Sequence, residues 1–333
     1  MTNTDKGEHT NRKKVRIAMI GAGDMANKVH YPSLASFDDV ELAAVCDLDT
    51  GRMNATADKY GIAKRYTDYQ RMVEDVDPDG VYAVGQPHLM IDAWIWCLEN
   101  RRNLFIEKPM GLTLHQARSL EVLAAKNNCI TQVGFQRRSC PLLVKMRDAC
   151  LTRGPIVHAV CEFYKCAITP FLGPRDHMMD DCVHSIDTVR WMCGGDVVGV
   201  ESRCRRVGVP DINWIGATLH FDNGSTGYVI NSWSSGRRVF RVQMHAPGIT
   251  TDAEVENKAT LYADGRYEGV EFDTKAVAGS DELFVYGGFR AKNREFIDSI
   301  RGGIDTTSSP FRDAVKTMEV AEKILAGDLL RMP

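Results

Sequence analysis

The run Val15-Arg16-Ile17-Ala18-Met19-Ile20 leads directly into Gly21-Ala22-Gly23-Asp24-Met25-Ala26. A short apolar segment, two closely spaced glycines and an amphipathic stretch from Met25 to Ser36 read as strand, turn and helix. The first glycine lets the chain turn sharply and the second lets backbone approach a pyrophosphate held at the helix N-terminus. The small Ala26 permits close packing of helix on strand. Any tight strand-to-helix corner could use these residues, so the reading needs support from further along the chain. It comes from Val45-Cys46-Asp47, which closes a second apolar run about twenty residues past Ala26. An acid there can accept hydrogen bonds from ribose hydroxyls and repels a 2′-phosphate, which favours NAD over NADP. Its plainer reading is a helix cap or loop acid.

Outward from that turn, apolar and amphipathic segments alternate. Val15–Ile20, Val40–Cys46, Gly80–Val84, Asn103–Ile106 and Ile130–Gly134 read as strands. Met25–Ser36, Arg52–Tyr60, Tyr69–Glu74, His88–Glu99 and Leu114–Lys126 read as helices. Strands that are apolar throughout, separated by helices, predict a parallel sheet covered on both faces: a doubly wound α/β domain over residues 15–135. After a helix at Leu142–Thr152 the texture changes. Strand-like stretches dominate from Ile156 to Tyr262, among them Val197–Val207, Ile215–Phe221, Gly227–Ser232 and Val239–Met244, with hairpin chemistry at Asp222-Asn223-Gly224. Helices at Met178–Met192, Phe289–Ile300 and Ala314–Leu325 complete an α+β domain over residues 136–333, built on a mostly antiparallel sheet.

Composition narrows the class of protein. The 333 residues suffice for about two domains. With 44% hydrophobic and 26% charged residues the chain is ordinary globular protein. A net charge of -3, from 41 basic and 44 acidic residues, gives no global field for nucleic acid. Apolar runs such as the one around Val81–Val84 fall far short of the roughly 20 residues of a membrane span. Residues 1–14 are polar, lack a signal-like apolar centre and are expected to form a short disordered tail on a cytoplasmic protein. The ten cysteines show no C-x-x-C pair or zinc spacing, which predicts reduced, buried thiols and no metal site.

Phe105-Ile106-Glu107-Lys108-Pro109 closes another apolar strand, and ligands in open α/β sheets lie beyond such carboxyl ends. Lys108 is therefore expected in the crevice; a solvated surface lysine is the plainer reading. The glycine turn, Cys46-Asp47-Leu48-Asp49 followed by Arg52, Glu107-Lys108-Pro109 and Val133-Gly134-Phe135-Gln136-Arg137-Arg138 together closely resemble the glucose-fructose oxidoreductase and inositol dehydrogenase (Gfo/Idh/MocA) family, over roughly residues 15–330. The resemblance implies an N-terminal Rossmann domain, a C-terminal domain with a large open antiparallel sheet, and NAD(P)-dependent oxidation or reduction of a secondary alcohol on a sugar, glycoside or cyclitol. It also implies that Asp24, Met25, Arg52, Gln86, His88 and Glu107 join Gly21, Gly23, Ala26, Asp47 and Lys108 around the cofactor.

The family's second-domain motif has Asp, then Gly two residues on, His four on and Asp seven on. Asp180, His184 and Asp187 match it, with Cys182 in the glycine position. A spacing of four would put Asp180 and His184 on one helical face. The resemblance then gives His184 the part of general base, Lys108 that of alkoxide stabiliser or proton shuttle, and Asp180 that of substrate holder. Further departures are Pro174-Arg175-Asp176 for a glycine run, and Gln86-Pro87-His88-Leu89-Met90 where a second histidine usually stands. His177, Arg175 and Asp176 could line a reshaped pocket. Two alternatives stay open: a redox-neutral glycosidase or lyase working through a transient ketone, and a non-catalytic nucleotide-sensing regulator. Trp233 and Tyr228 fall on or beside strands of the second domain. A broad apolar sheet face there predicts a homodimer or homotetramer, with core packing as the plainer role for both residues.

Overall fold

Val15–Ile20 (β1) lies at the centre of the first sheet in the computed structural model, which describes residues 13–329. The expected tail, residues 1–14, lies outside the described residues except for Lys13 and Lys14. Following β1, a π-helical turn at Ala26–His30 runs into α1 (Tyr31–Ala35). Then come β2 (Val40–Cys46), α2 (Thr50–Tyr60), β3 (Lys64–Tyr66), α3 (Tyr69–Val76), β4 (Gly80–Ala83), α4 (Pro87–Glu99), β5 (Leu104–Ile106), α5 (Leu114–Asn127) and β6 (Thr131–Val133). All neighbours pair parallel, in the order β3-β2-β1-β4-β5-β6. Successive side chains of β1 enter two different cores: Ile17 and Met19 pack with Tyr82 and Phe105, Ala18 and Ile20 with Val81 and Ile106. This two-sided burial makes the strand apolar throughout. β3 was not legible in the sequence because it is three residues long with Lys64 and Arg65 exposed; charge suits its edge position.

The second domain contains α6 (Pro141–Leu151), β7 (His158–Cys166), a π-helical turn at Met178–Cys182, α7 (Val183–Cys193), β8 (Val197–Arg205), β9 (Trp214–Phe221), β10 (Thr226–Ser232), β11 (Ser234–Ala246), β12 (Ile249–Glu254), β13 (Lys258–Ala263) and β14 (Val270–Asp273). After them come α8 (Thr274–Ala278), α9 (Leu283–Tyr286), α10 (Phe289–Gly302) and α11 (Phe311–Leu329). The eight strands form one sheet, β14-β13-β12-β11-β7-β10-β9-β8, antiparallel except where β7 meets β10. Alternation is clear along β7: Ala159, Cys161 and Phe163 are buried, while His158, Val160, Glu162 and Tyr164 face the other side. α10 returns to the first sheet, where Phe296 packs edge-on against Tyr82 and Phe105. Seven of the ten cysteines are buried.

The expected apolar face is corrected by the structure. The side of the second sheet away from α6 and α7 carries the Arg241–Asp252 ion pair, a Tyr164–Glu162 hydrogen bond of 2.7 Å and a stack of His158 on His245. Strands half-covered on this side alternate polar with apolar residues, which gives a mixed surface. Tyr228 lies on it, 40% exposed. Trp233 does not: it falls between β10 and β11, is buried, and stacks on His177 with ring centres 4.0 Å apart. Core packing is its role.

Candidate active site

One cleft of about 1510 Å³ runs between the two sheets, well above the volume needed for a drug-sized ligand and large enough for a dinucleotide with a second small molecule. Gly21, Gly23, Asp24, Met25 and Ala26 line one end. Gly21 N–H donates to Cys46 O at 2.8 Å, Gly21 has φ +106°, and a Cβ on it would fall 2.1 Å from Val84 O. Only glycine fits that corner. A Cβ at Gly23 would meet nothing within 4 Å, which leaves the backbone open to an incoming phosphate.

Asp47 does more than cap. It accepts from Ala22 N–H at 2.7 Å, Asp49 N–H at 2.9 Å and Arg52 Nη2 at 2.9 Å, stapling the end of β2 to the glycine turn. Burial pushes its carboxyl up, but the Arg52 and main-chain hydrogen bonds outweigh that and hold it below the usual range. Asp47 and Arg52 both line the cleft, as does Gln86. His88 does not: Pro87, Leu89, Met90 and Ala93 of α4 line the cleft, and His88, exposed, lies outside it. Met90, where the second histidine was missing, packs over Gly85, at which a Cβ would fall 2.4 Å from Met90 Cε.

Glu107 lines the cleft with its carboxylate already engaged, by His30 Nε2 at 2.8 Å and Lys108 N–H at 3.3 Å. Lys108 Nζ reaches across the domains to the main-chain carbonyl of Asp180. The contact falls within a π-helical turn, where the bond from Val183 N–H back to Met178 O spans five residues and interrupts the α-helical pattern. The side chains of Asp180 and His184 both line the cleft, with Asp180 exposed in it. His184 is half-buried, its ring edge-on to Phe135 and its Nδ1 without a partner. Burial first, then Lys108, Arg137, Lys165 and Arg238, hold its imidazole well below the ordinary histidine range, so it is neutral at pH 7.

Arg175 and Asp176 line the cleft; His177 and Cys182 do not. Cys182 is fully buried, so the glycine-to-cysteine departure faces the core. Asp187 is also buried, paired with Arg138 at 2.6 Å. Sequence reasoning missed further lining from the second domain, formed by Arg137, Phe163, Arg238, Phe240 and Glu256. Arg137 stands inside a quoted motif and could have been found; Arg238 and Glu256 carry no local signal.

A parallel sheet with its glycine turn and Asp47 at the strands' carboxyl ends, closed by a second domain that brings a neutral histidine to the same cleft as Lys108, defines an NAD-binding oxidoreductase scaffold. The chain belongs to the Gfo/Idh/MocA family. Residues 15–135 match its "Oxidoreductase family, NAD-binding Rossmann fold" and residues 173–248 its "GFO/IDH/MocA C-terminal domain", together more than half of the chain. Myo-inositol 2-dehydrogenase of Thermotoga maritima is 26% identical over 66% of this chain and 68% of its own length. Inositol 2-dehydrogenase of Salmonella paratyphi B is 28% identical over 56% of this chain, which spans 57% of that protein. A crystal structure of a dehydrogenase from Chromobacterium violaceum superposes with a TM-score of 0.87 over 96% of both chains at 18% identity.

Proposed function

We propose that the protein is an NAD-dependent dehydrogenase that oxidises a CH–OH group of a sugar, glycoside or cyclitol to a ketone, or catalyses the reverse. The observation that carries this reading is that Lys108 and His184, from different domains, border the cleft that begins at the glycine turn. The bound nicotinamide supplies the hydride acceptor, so that CH–OH and NAD yield C=O, NADH and a proton. His184, neutral in the resting site, takes the hydroxyl proton. Lys108 donates a hydrogen bond to the same oxygen and stabilises the charge that develops on it. Asp180 accepts from a neighbouring hydroxyl and fixes which carbon is presented.

The test is stoichiometry. Purified protein incubated with NAD and its polyol yields one NADH per ketone. Free sugar released without net NADH, with deuterium taken up from heavy water beside the oxidised carbon, would instead establish the redox-neutral alternative. Nucleotide binding without turnover on any polyol would establish the regulator.

Cofactor choice follows from Asp47. Asp47→Ala removes the acid that repels a 2′-phosphate and leaves Arg52 unpaired beside it. The NAD-over-NADP affinity ratio is expected to fall by about tenfold or more in calorimetric titrations. Equal affinities in the unmodified protein would refute this assignment.

We also infer a homodimer or homotetramer in the cytoplasm. The uncovered face of the second sheet, mixed in polarity with Tyr228 on it, supports the first inference, and mostly buried cysteines without C-x-x-C spacing suit a reducing compartment. A monomeric mass by light scattering at micromolar concentration is the result that would exclude assembly.

A further inference from the structure

Around His184 the second domain gathers more positive charge than its own carboxylates neutralise. Arg137 and Arg238 share a single partner, Glu256, at 3.1 and 2.5 Å. Each guanidinium lies over an aromatic ring: Arg137 over Phe240 at 4.5 Å, Arg238 over Phe163 at 5.5 Å. Burial works against ionisation of Glu256, but hydrogen bonding and charge from Arg238 and Arg137 hold it below the ordinary carboxyl range, so it supplies one full negative charge. Lys165 is matched by Asp181, and the single charge of Lys108, whose ammonium meets the Asp180 main-chain carbonyl, is balanced in number by the exposed Asp180 carboxylate on the same cleft. The surplus therefore rests on the two arginines. Arg137 is 7% exposed and its Nε has no partner. An under-paired guanidinium at such depth is costly, and its planar fork fits a carboxylate in two-point geometry.

We propose that Arg137 and Arg238 form a seat for a carboxylate carried by the substrate, so that the enzyme acts on sugar or cyclitol acids in preference to neutral polyols. This rests on the dehydrogenase reading and refines its substrate class. One surplus charge matches a carboxylate better than a phosphate monoester, which carries close to two. The seat also bears on the chemistry. Both arginines help to hold the His184 imidazole down, and a carboxylate seated between them offsets part of that field. Binding the acid therefore makes His184 a stronger base when a proton has to be removed.

The protein loaded with NADH, which cannot oxidise an alcohol, is titrated calorimetrically with matched pairs: D-glucuronate and D-glucose, D-galacturonate and D-galactose, D-gluconate and D-glucitol, with glucose 6-phosphate as a further arm. At least one acid is expected to bind about tenfold or more tighter than its neutral partner, the preference falling with salt and approaching one in Arg238→Gln. Arg238 is the variant of choice because its side chain is more exposed than that of Arg137 and its loss threatens the fold less. Equal affinities within every pair overturn the proposal. So do tighter binding of glucose 6-phosphate than of any acid, no binding by any acid, or a preference that Arg238→Gln leaves intact. Turnover with NAD separates the two readings: acids that bind through Arg238 and are not oxidised uphold the seat and refute the dehydrogenase.

Discussion

Lys108→Ala and His184→Ala are each expected to lower kcat/KM by about 100-fold or more, some 2.7 kcal/mol of transition-state stabilisation, while NAD affinity stays within about threefold. The split follows from where the residues sit. Both line the cleft, whereas Gly21, Gly23, Asp47 and Arg52 line it at the glycine turn, where the nucleotide is proposed to lie. The pH profiles then separate their parts. In the parent enzyme kcat/KM falls on the acid side as His184 gains a proton. Burial and four positive neighbours place that fall below the ordinary value of about 6.5. Lys108→Ala removes the foremost of those neighbours, so the acid limb of its residual activity moves up in pH. His184→Ala loses the limb altogether. An acid limb that stays in place in Lys108→Ala would show that the lysine does not act on His184, and near-parent activity in either variant would remove that residue from the chemistry.

The first domain could be read from the sequence because both of its signals are local. Strands buried on two faces are apolar throughout, and the glycine turn concentrates its constraint in one corner, where Gly21 adopts φ +106°. The two π-helical turns were hidden, since a π-turn uses the same residue types as an α-helix and shifts only the register. The segments Met25–Ser36 and Met178–Met192 do contain helix, but each opens on a π-turn, and it is in the second of these that Lys108 meets the Asp180 carbonyl, a contact the sequence does not announce. The parallel β7–β10 pair was equally hidden, because strand composition does not say which neighbour a strand takes. Trp233 was placed on the wrong surface for a related reason: it falls at the change from β10 to β11, where the alternation of faces breaks. The Arg137–Glu256–Arg238 cluster joins a turn after β6 to β11 and to the turn before β13. More than a hundred residues separate Arg137 from Glu256, and only tertiary pairing brings them together.

The largest effect on stability is expected at Asp187, the third matching residue of the second-domain motif. Its two carboxylate oxygens accept from Arg138 at 2.8 and 2.6 Å, and Thr317 of α11 adds a bond of 3.1 Å. Arg138 also donates to Ser308 O at 2.6 Å and pairs with Asp313, which in turn pairs with Arg190. Asp187 is 1% exposed and Arg138 8%. Burial opposes the charge on Arg138, and Asp187 followed by Asp313 outweighs it. Asp187→Ala therefore strands a buried guanidinium and is expected to cost about 3–5 kcal/mol in urea denaturation. Replacing both members, as in Arg138→Met with Asp187→Leu, removes the stranded charge. The double variant should recover about 2 kcal/mol relative to the sum of the single losses. Asp187 stands three residues after His184 on α7, and Arg138 directly follows Arg137. The bridge thus ties the proposed base and the arginine wall to one buried point, and Asp187→Ala should lower turnover at temperatures where the protein is still folded. A loss under about 1 kcal/mol in Asp187→Ala would mean that Asp313 alone satisfies Arg138, and that the motif's last aspartate is held for some purpose other than this bridge.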